Sequence, residues 1–404
     1  MEQKRKKWMK FRHRVVRNIA AVFVHPYCRW KYGVKIKKFA DQGDRQYLIL
    51  MNHQTVFDQF FTGIAFHGPV YYIATEDIFS NGWVSSLIRY LVAPIPIKKQ
   101  TMDVSAILNC LRVAKEGGTI ALAPEGNRTY SGKTEYMSPA IAQLVKKLGL
   151  PVALFRIEGG YGVQPRWSDV LRRGRMHAYV SRVIEPEEYK ELSNDALFEL
   201  IREGLYVNEA APDASFYHKK NAEYLERCIY VCPFCGLSEF ESHSDLITCK
   251  TCGRQVRYLP TKEFMGLGFD FPFRFVNDWY EYQKEFINNL DTKLYRDTPL
   301  YRDCARLSEG IINQRKIMLR KDASIALYGD RIVIDEGRED ELCMHFSDLS
   351  AVSVLGRNKL NIYHGEHVYQ FKGSKRFNAL KYVNIYFRYK NIVKGDSNVK
   401  FLGL

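Results

Sequence analysis

The chain has 404 residues, 46% hydrophobic and 26% charged, which excludes a disordered polymer and leaves room for two or three domains. Its net charge of +15 is local: residues 1–40 hold 13 Lys/Arg against the single acid Glu2, while the remaining residues carry 47 bases against 44 acids. With no run of about 20 apolar residues and only a short apolar stretch, Ile19 to Val24, behind the basic start, neither a spanning helix nor a secretory signal is expected.

Residues 1–33 read as a basic helix with Trp8, Met9, Phe11, Val15, Val16, Ile19, Val22 and Phe23 interleaved. That pattern is expected of an interfacial helix lying on anionic lipid, where each Lys/Arg is worth about 1 kcal/mol. Nucleic acid attracts the same charge, but the interleaved apolar residues favour a membrane and make nucleic acid the weaker reading.

Residues 34–227 alternate short apolar strands with helical runs. Strands are predicted at Tyr47–Met51, Val70–Ala74, Ile95–Ile97, Thr119–Ala123, Val152–Ile157 and Met176–Val183, and helices at Asp58–Phe66, Asp103–Lys115 and Ser138–Leu148. This is an α/β domain, a mixed sheet with flanking helices, followed by a polar helical extension with a break at Ala211-Pro212. The stretch Ile78 to Ile97, apolar with the single charge Arg89 after Asp77, fits either a buried core helix or a second membrane-contacting surface.

Residues 228–258 form a compact cysteine module, and residues 259–321 a helical linker with an aromatic helix from Phe273 to Leu290. Residues 322–404 read as short strands closing on a terminal helix, Arg376–Tyr389, the plan of a small β-roll.

Three strand ends carry groups suited to chemistry. Asn52-His53-Gln54-Thr55-Val56-Phe57-Asp58 sets an imidazole and a carboxylate five positions apart. On one straight helix that spacing is about 140° out of alignment, so the chain must bend, with His53 at a strand end and Asp58 starting the next helix. A carboxylate so placed orients a general base. Ile95-Pro96-Ile97 delivers Lys98, an ammonium suited to an anionic ligand. Ala123-Pro124-Glu125-Gly126-Asn127-Arg128-Thr129 follows another apolar strand; Gly126 lets backbone approach a ligand, and Arg128 offers a fork of donors for phosphate or carboxylate. Glu125 either accepts a bond from a substrate hydroxyl or holds Arg128.

The order and spacing of these stretches resembles the lysophospholipid acyltransferase family, whose best-known members acylate 1-acylglycerol-3-phosphate. The resemblance covers residues 34 to 185 and rests on Asn52, His53, Asp58, Pro124, Glu125, Gly126 and Arg128. Where that family usually has Phe, Ser and Arg, this chain has Ala123, Thr129 and Lys98. The resemblance implies transfer from acyl-CoA or acyl-carrier protein to a lysophospholipid hydroxyl, with His53 as base, Asp58 as its orienter, Arg128 and Lys98 on the acceptor phosphate and Glu125 placing the glycerol. It also implies a peripheral enzyme on the cytoplasmic face of a membrane. Two rivals remain: an acyltransferase for another acceptor, and a non-catalytic membrane-bound adaptor.

Cys232-Pro-Phe-Cys235 and Cys249-Lys-Thr-Cys252 are separated by 13 residues, and each is followed by glycine. Four thiolates at that spacing fit a closed, structural zinc site in a zinc ribbon. Nine cysteines without an export signal favour a reducing compartment over disulfides. The ribbon is expected to act as a scaffold or to dock a protein partner of unknown identity. The β-roll resembles a pleckstrin-homology-like domain.

Overall fold

The computed structural model describes residues 7–79, 82–97, 104–210, 214–310, 316–395 and 401–403. The chain forms two compact units: residues 1–165 with 171–216, and residues 166–170 with 217–404.

The first unit opens with α1 (Phe11–Tyr32), β1 (Val34–Ile36), β2 (Leu48–Met51), α2 (Asp58–Ala65), β3 (Val70–Thr75), α3 (Trp83–Val92) and β4 (Ile95–Ile97). It continues through α4 (Val104–Lys115), β5 (Thr119–Leu122), α5 (Ala140–Leu148), β6 (Val152–Glu158), α6 (Gly160–Val163), β7 (Met176–Ile184), α7 (Pro186–Tyr189) and α8 (Asn194–Leu205). One seven-stranded sheet runs β1-β7-β6-β2-β5-β3-β4. β2 to β6 are mutually parallel; β7 runs antiparallel to β6, and β1 is parallel to β7. The sheet is therefore mixed, and β2 sits at its centre.

Both faces of the central strands are apolar, so both are buried. Leu48, Leu50, Ile120, Val152 and Leu154 enter one core with α4, α5 and α8. Ile49, Met51, Ala121, Ala153 and Phe155 enter the other, against α1 and α2. Continuous rather than alternating hydrophobicity is what a sheet covered on both faces requires.

α1 is pinned at its start. Trp8 Nε1 donates to Ala93 O at 2.9 Å, and Glu116 accepts the backbone N–H groups of Trp8 and Met9. Two of its cations reach neighbouring helices: Arg12 Nε donates to Tyr90 O at 2.8 Å and Arg17 Nη2 to Gly63 O at 3.1 Å. Phe11, Ile19, Val22, Phe23 and Trp30 are 57–81% exposed, on a single arc of the helix. α3 is not a buried core helix: Trp83, Leu87 and Tyr90, spaced i, i+4, i+7, are 76%, 44% and 58% exposed, and only Ser85 is buried.

The second unit holds β8 (Val231–Cys232), β9 (Gly236–Leu237), β10 (Phe240–His243), β11 (Leu246–Cys249), β12 (Gln255–Tyr258), β13 (Phe264–Gly266) and α9 (Val276–Asn289). Then come β14 (Tyr301–Gly310), β15 (Ile317–Leu327), β16 (Arg331–Ile334), β17 (Leu342–His345), β18 (Leu349–Leu355), β19 (Lys359–His364), β20 (His367–Gly373) and α10 (Leu380–Lys394). Its large sheet is antiparallel in the order β17-β16-β15-β14-β20-β19-β18. Among the described residues, the stretch expected to be a helical linker thus contains the α-helix α9 and a short 3-10 turn at Thr292–Tyr295, and also β13, β14 and the first half of β15. The loop 166–170 belongs to this unit: Trp167 is fully buried against Tyr258, and Arg227 pairs with Asp169 at 2.7 Å.

Candidate active site

β2 ends at Met51, and the next residue ties it down. The Asn52 amide donates to Ile157 O and accepts the Ile157 N–H, both at 2.8 Å, locking the strand end to β6. The chain then turns and enters α2 at Asp58, and the turn brings His53 Nδ1 to 2.8 Å from Asp58 Oδ2. Asp58 is fully buried. Burying a carboxylate is costly unless hydrogen bonds replace its water. Three local donors do so: Gln54 N at 2.6 Å, Thr55 N at 2.9 Å and Thr55 Oγ1 at 2.7 Å. An acceptor-only carboxylate at Nδ1 places a proton on that nitrogen, so in the neutral ring Nε2 is the nitrogen with the lone pair. The His53 side chain is 27% exposed and can meet a substrate.

β5 pairs in parallel with β2, so its end delivers the second stretch beside the first. Ala123 to Gly126 close a turn, Gly126 N donating to Ala123 O at 3.0 Å. Gly126 sits at φ +67°, a left-handed conformation that glycine adopts without steric cost. Glu125, 4% exposed, accepts the His53 N–H at 3.0 Å and the Glu135 N–H at 3.2 Å. Burial raises its carboxyl, the two N–H donors pull it down and the charges of Glu135 and Asp58 add to the rise, so that it is pushed up to about 8. At neutral pH it therefore largely keeps its proton, and both oxygens face backbone of the loops that flank His53. Arg128 is buried, at 8% exposure. Lys98 lies outside the described residues, immediately after β4.

Sequence reasoning did not assign Thr55 a role. Its hydroxyl and amide cap Asp58, a pattern that a Thr three residues before a helix-initial Asp permits. Asn52, Glu135 and Gly160 act across the fold. A Cβ on Gly160 would lie 2.5 Å from that of Gln54, so α6 approaches the base loop only because residue 160 is glycine.

Residues 33–157 match the Acyltransferase family model. The chain is 22% identical over 191 residues to a chloroplastic 1-acyl-sn-glycerol-3-phosphate acyltransferase of Arabidopsis thaliana, covering 46% of this chain and 52% of that protein. It is 22% identical over 176 residues to a 1-acyl-sn-glycerol-3-phosphate acyltransferase of Bacillus subtilis, covering 43% of this chain and 84% of that protein. It thus spans about half the length of the plant relative. The crystal structure of the 1-acyl-sn-glycerophosphate acyltransferase PlsC of Thermotoga maritima aligns with a TM-score of 0.40 at 21% identity, covering 48% of this chain and 79% of that one. His53, Asp58, Glu125, Gly126 and Arg128 all fall within the matched segment; the four cysteines do not.

In the second unit, Cys232, Cys235, Cys249 and Cys252 converge, their Sγ atoms all within 4.8 Å of one another. Cys232 and Cys252 are 3.9 Å apart and Cys235 and Cys249 3.6 Å. The first knuckle lies on β8 and the β8–β9 turn, the second at the end of β11 and in the turn beyond it. All nine cysteines are free thiols. The four sulfurs form a cluster that can hold a metal ion.

Proposed function

We propose that the chain is a peripheral membrane O-acyltransferase acting on 1-acyl-sn-glycerol-3-phosphate and yielding phosphatidic acid. The observation that carries this reading is the His53–Asp58 pair, with Nε2 left open to substrate and Glu125 bonded to the backbone beneath it. The matched family segment supports it.

His53 Nε2 takes the proton from the acceptor hydroxyl. The oxygen adds to the thioester carbonyl, the tetrahedral intermediate collapses with loss of the C–S bond, and the imidazolium returns its proton to the departing thiolate. An ester forms, a thioester breaks, and free thiol is released. General-base catalysis supplies about 10²–10⁴-fold, so holding the two substrates together must supply much of the rest. Asp58 balances the charge gained by the ring. Arg128 and Lys98 are assigned to the acceptor phosphate. Glu125, protonated, stabilises the loop that carries His53; its assigned contact with the glycerol is a second role of the same carboxyl.

The membrane assignment is supported by the apolar arcs of α1 and α3, since exposed aromatic and aliphatic residues beside basic ones suit a headgroup boundary. Among the described residues no helix is long and apolar enough to cross a membrane. Zinc is the ion assigned to the cysteine cluster. Tetrahedral Zn–S bonds of about 2.3 Å place sulfurs roughly 3.8 Å apart, and two of the pairs here are 3.6 and 3.9 Å apart. Such a site is closed and would stabilise the ribbon. A pleckstrin-homology-like module is supported by four meandering strands, three more pairing back through β20 on β14, and α10 lying against β18. The site lines up most simply with a role as a docking module.

The test is thiol release by purified protein on liposomes across a panel of lyso-lipid acceptors with acyl-CoA or acyl-carrier protein. Turnover is expected to be highest with 1-acylglycerol-3-phosphate. A higher rate with another head group would reassign the acceptor, and no thiol from any acceptor would leave the adaptor reading.

A further inference from the structure

The sheet order puts β2 and His53 between two different neighbourhoods. On one side lies β5, which ends in Glu125 to Arg128. On the other lie β6, β7 and β1. A two-substrate reaction needs a second binding region, and Glu125 and Arg128, assigned to the acceptor, follow β5 on the first side.

The second side holds a cavity of about 870 Å³, lined by Arg156, Arg173, Arg175 and His177 together with Glu158 and Glu209. An adjoining hollow of about 400 Å³ adds Lys35 and Lys37 and shares Glu158 and His177. Strand register explains the grouping. Lys35, His177 and Glu158 stand in one row across β1, β7 and β6, and Arg156 follows two residues along β6 on the same face. The row lies at the end of the sheet where β2 delivers His53, because β6 is parallel to β2 and Asn52 bonds to Ile157 within this stretch of β6.

Cations outnumber acids around the cavity and the adjoining hollow. Glu158 accepts from Tyr179 Oη at 3.0 Å and pairs with Arg156 at 3.1 Å, while Glu209 accepts the Gly159 N–H at 2.5 Å. Among the described residues no acid pairs with Arg173, Arg175, Lys35 or Lys37, and Arg156 Nε is buried without a hydrogen-bond partner. A buried guanidinium nitrogen left open, beside two exposed arginines, suits an anion that brings several oxygens. The concavity favours a small molecule over a protein face; ligand cavities run to about 300–1,000 Å³.

We infer that this groove binds the phosphorylated nucleotide end of the acyl donor, the 3′-phospho-ADP portion of a coenzyme A thioester. The inference rests on the acyl-transfer reading and names its donor. β7 lies two strands from β2, about 10 Å at the usual strand spacing, and the pantetheine arm spans that gap to bring the thioester to His53. Donor and acceptor then approach the base from opposite sides.

The experiment compares wild type with the double variant Arg173→Ala/Arg175→Ala, two exposed positions whose loss leaves the core intact. Adenosine 3′,5′-bisphosphate is titrated into each by calorimetry, and kcat/KM is measured with acyl-CoA and with the matching N-acetylcysteamine thioester, which lacks the nucleotide. Expected are at least tenfold weaker bisphosphate binding in the variant, and at least a tenfold fall in the ratio of kcat/KM for acyl-CoA to that for the truncated thioester. Equal binding by both proteins, no binding by wild type, or an unchanged ratio would overturn the assignment. So would a loss confined to acyl-carrier protein as donor, which would make the groove a protein-docking surface. Bisphosphate binding that the variant weakens, with no thiol released from any acceptor, would uphold the groove and break the acyl-transfer reading instead.

Discussion

The two units build their chemical centres in opposite ways. The cysteine cluster is assembled within 21 residues, by two knuckles on neighbouring turns. The His53 site combines a local turn with groups from β5 and β6, more than 70 and 100 residues away in sequence. A local cluster depends on one ligand and the folding of its own module. A distributed site depends on the whole sheet, and its parts differ in how far their loss propagates.

The largest expected effect breaks the distributed site at its reactive atom. His53→Ala should lower acyl transfer by at least about 10³-fold with substrate affinity retained, read by thiol release and by equilibrium lipid binding; turnover near wild type would remove the base assignment. Next comes the local centre. Elemental analysis should find one zinc per chain, and chelation or Cys249→Ser should cut the melting temperature of the second unit sharply, because apparent zinc-site free energies reach about 10 kcal/mol. Less than about half a zinc per chain would count against the site.

Glu125 gives a smaller, pH-dependent effect. Its folded pKa, about 8, lies above the ordinary glutamate value, so its contribution to stability is fully present below that ordinary value and is lost as pH rises through the folded one. Glu125→Gln cannot ionise. Its melting temperature relative to wild type should climb between about pH 4.5 and pH 8; a constant difference across that range would mean that the carboxyl is already charged. The smallest effect concerns the apolar arc of α3. Trp83→Ser with Leu87→Ser should weaken liposome binding by at least about tenfold, since withdrawing even one such side chain from an apolar environment costs roughly 1.5–3 kcal/mol, and leave the melting temperature within a degree or two. Unchanged sedimentation with vesicles would detach α3 from the membrane reading.

Much of the first unit was legible because its signals are local. The six predicted strands appear within one residue at each end, since continuous apolar runs bounded by turns admit little else. β1 escaped notice: three residues, one of them a lysine, make a strand only because β7 is there to pair with. By sequence, β14 falls in the stretch expected to be linker for a similar reason. Tyr301 to Gly310 is largely polar, with only Tyr301, Ala305 and Leu307 buried, and it is a strand by virtue of β15 and β20 on either side. The periodicity of α3 was plain, but periodicity does not say what covers the apolar face; in the structure much of that face is exposed.

The sequence by itself determined the groups that can do chemistry: the His53–Asp58 spacing that demands a bend, the strand-end turn with Arg128, and four cysteines whose separation suits one metal. Those follow from bond geometry and short-range spacing, which a linear chain already contains. Only the tertiary structure decided that Glu125 lies under the His53 backbone with its proton raised, that Asn52 anchors the strand end to β6, and that β6, β7 and β1 gather a second set of cations across from the first. These depend on which strands become neighbours, and strand order is set by burying both faces of one sheet at once, a condition no single stretch of sequence can express.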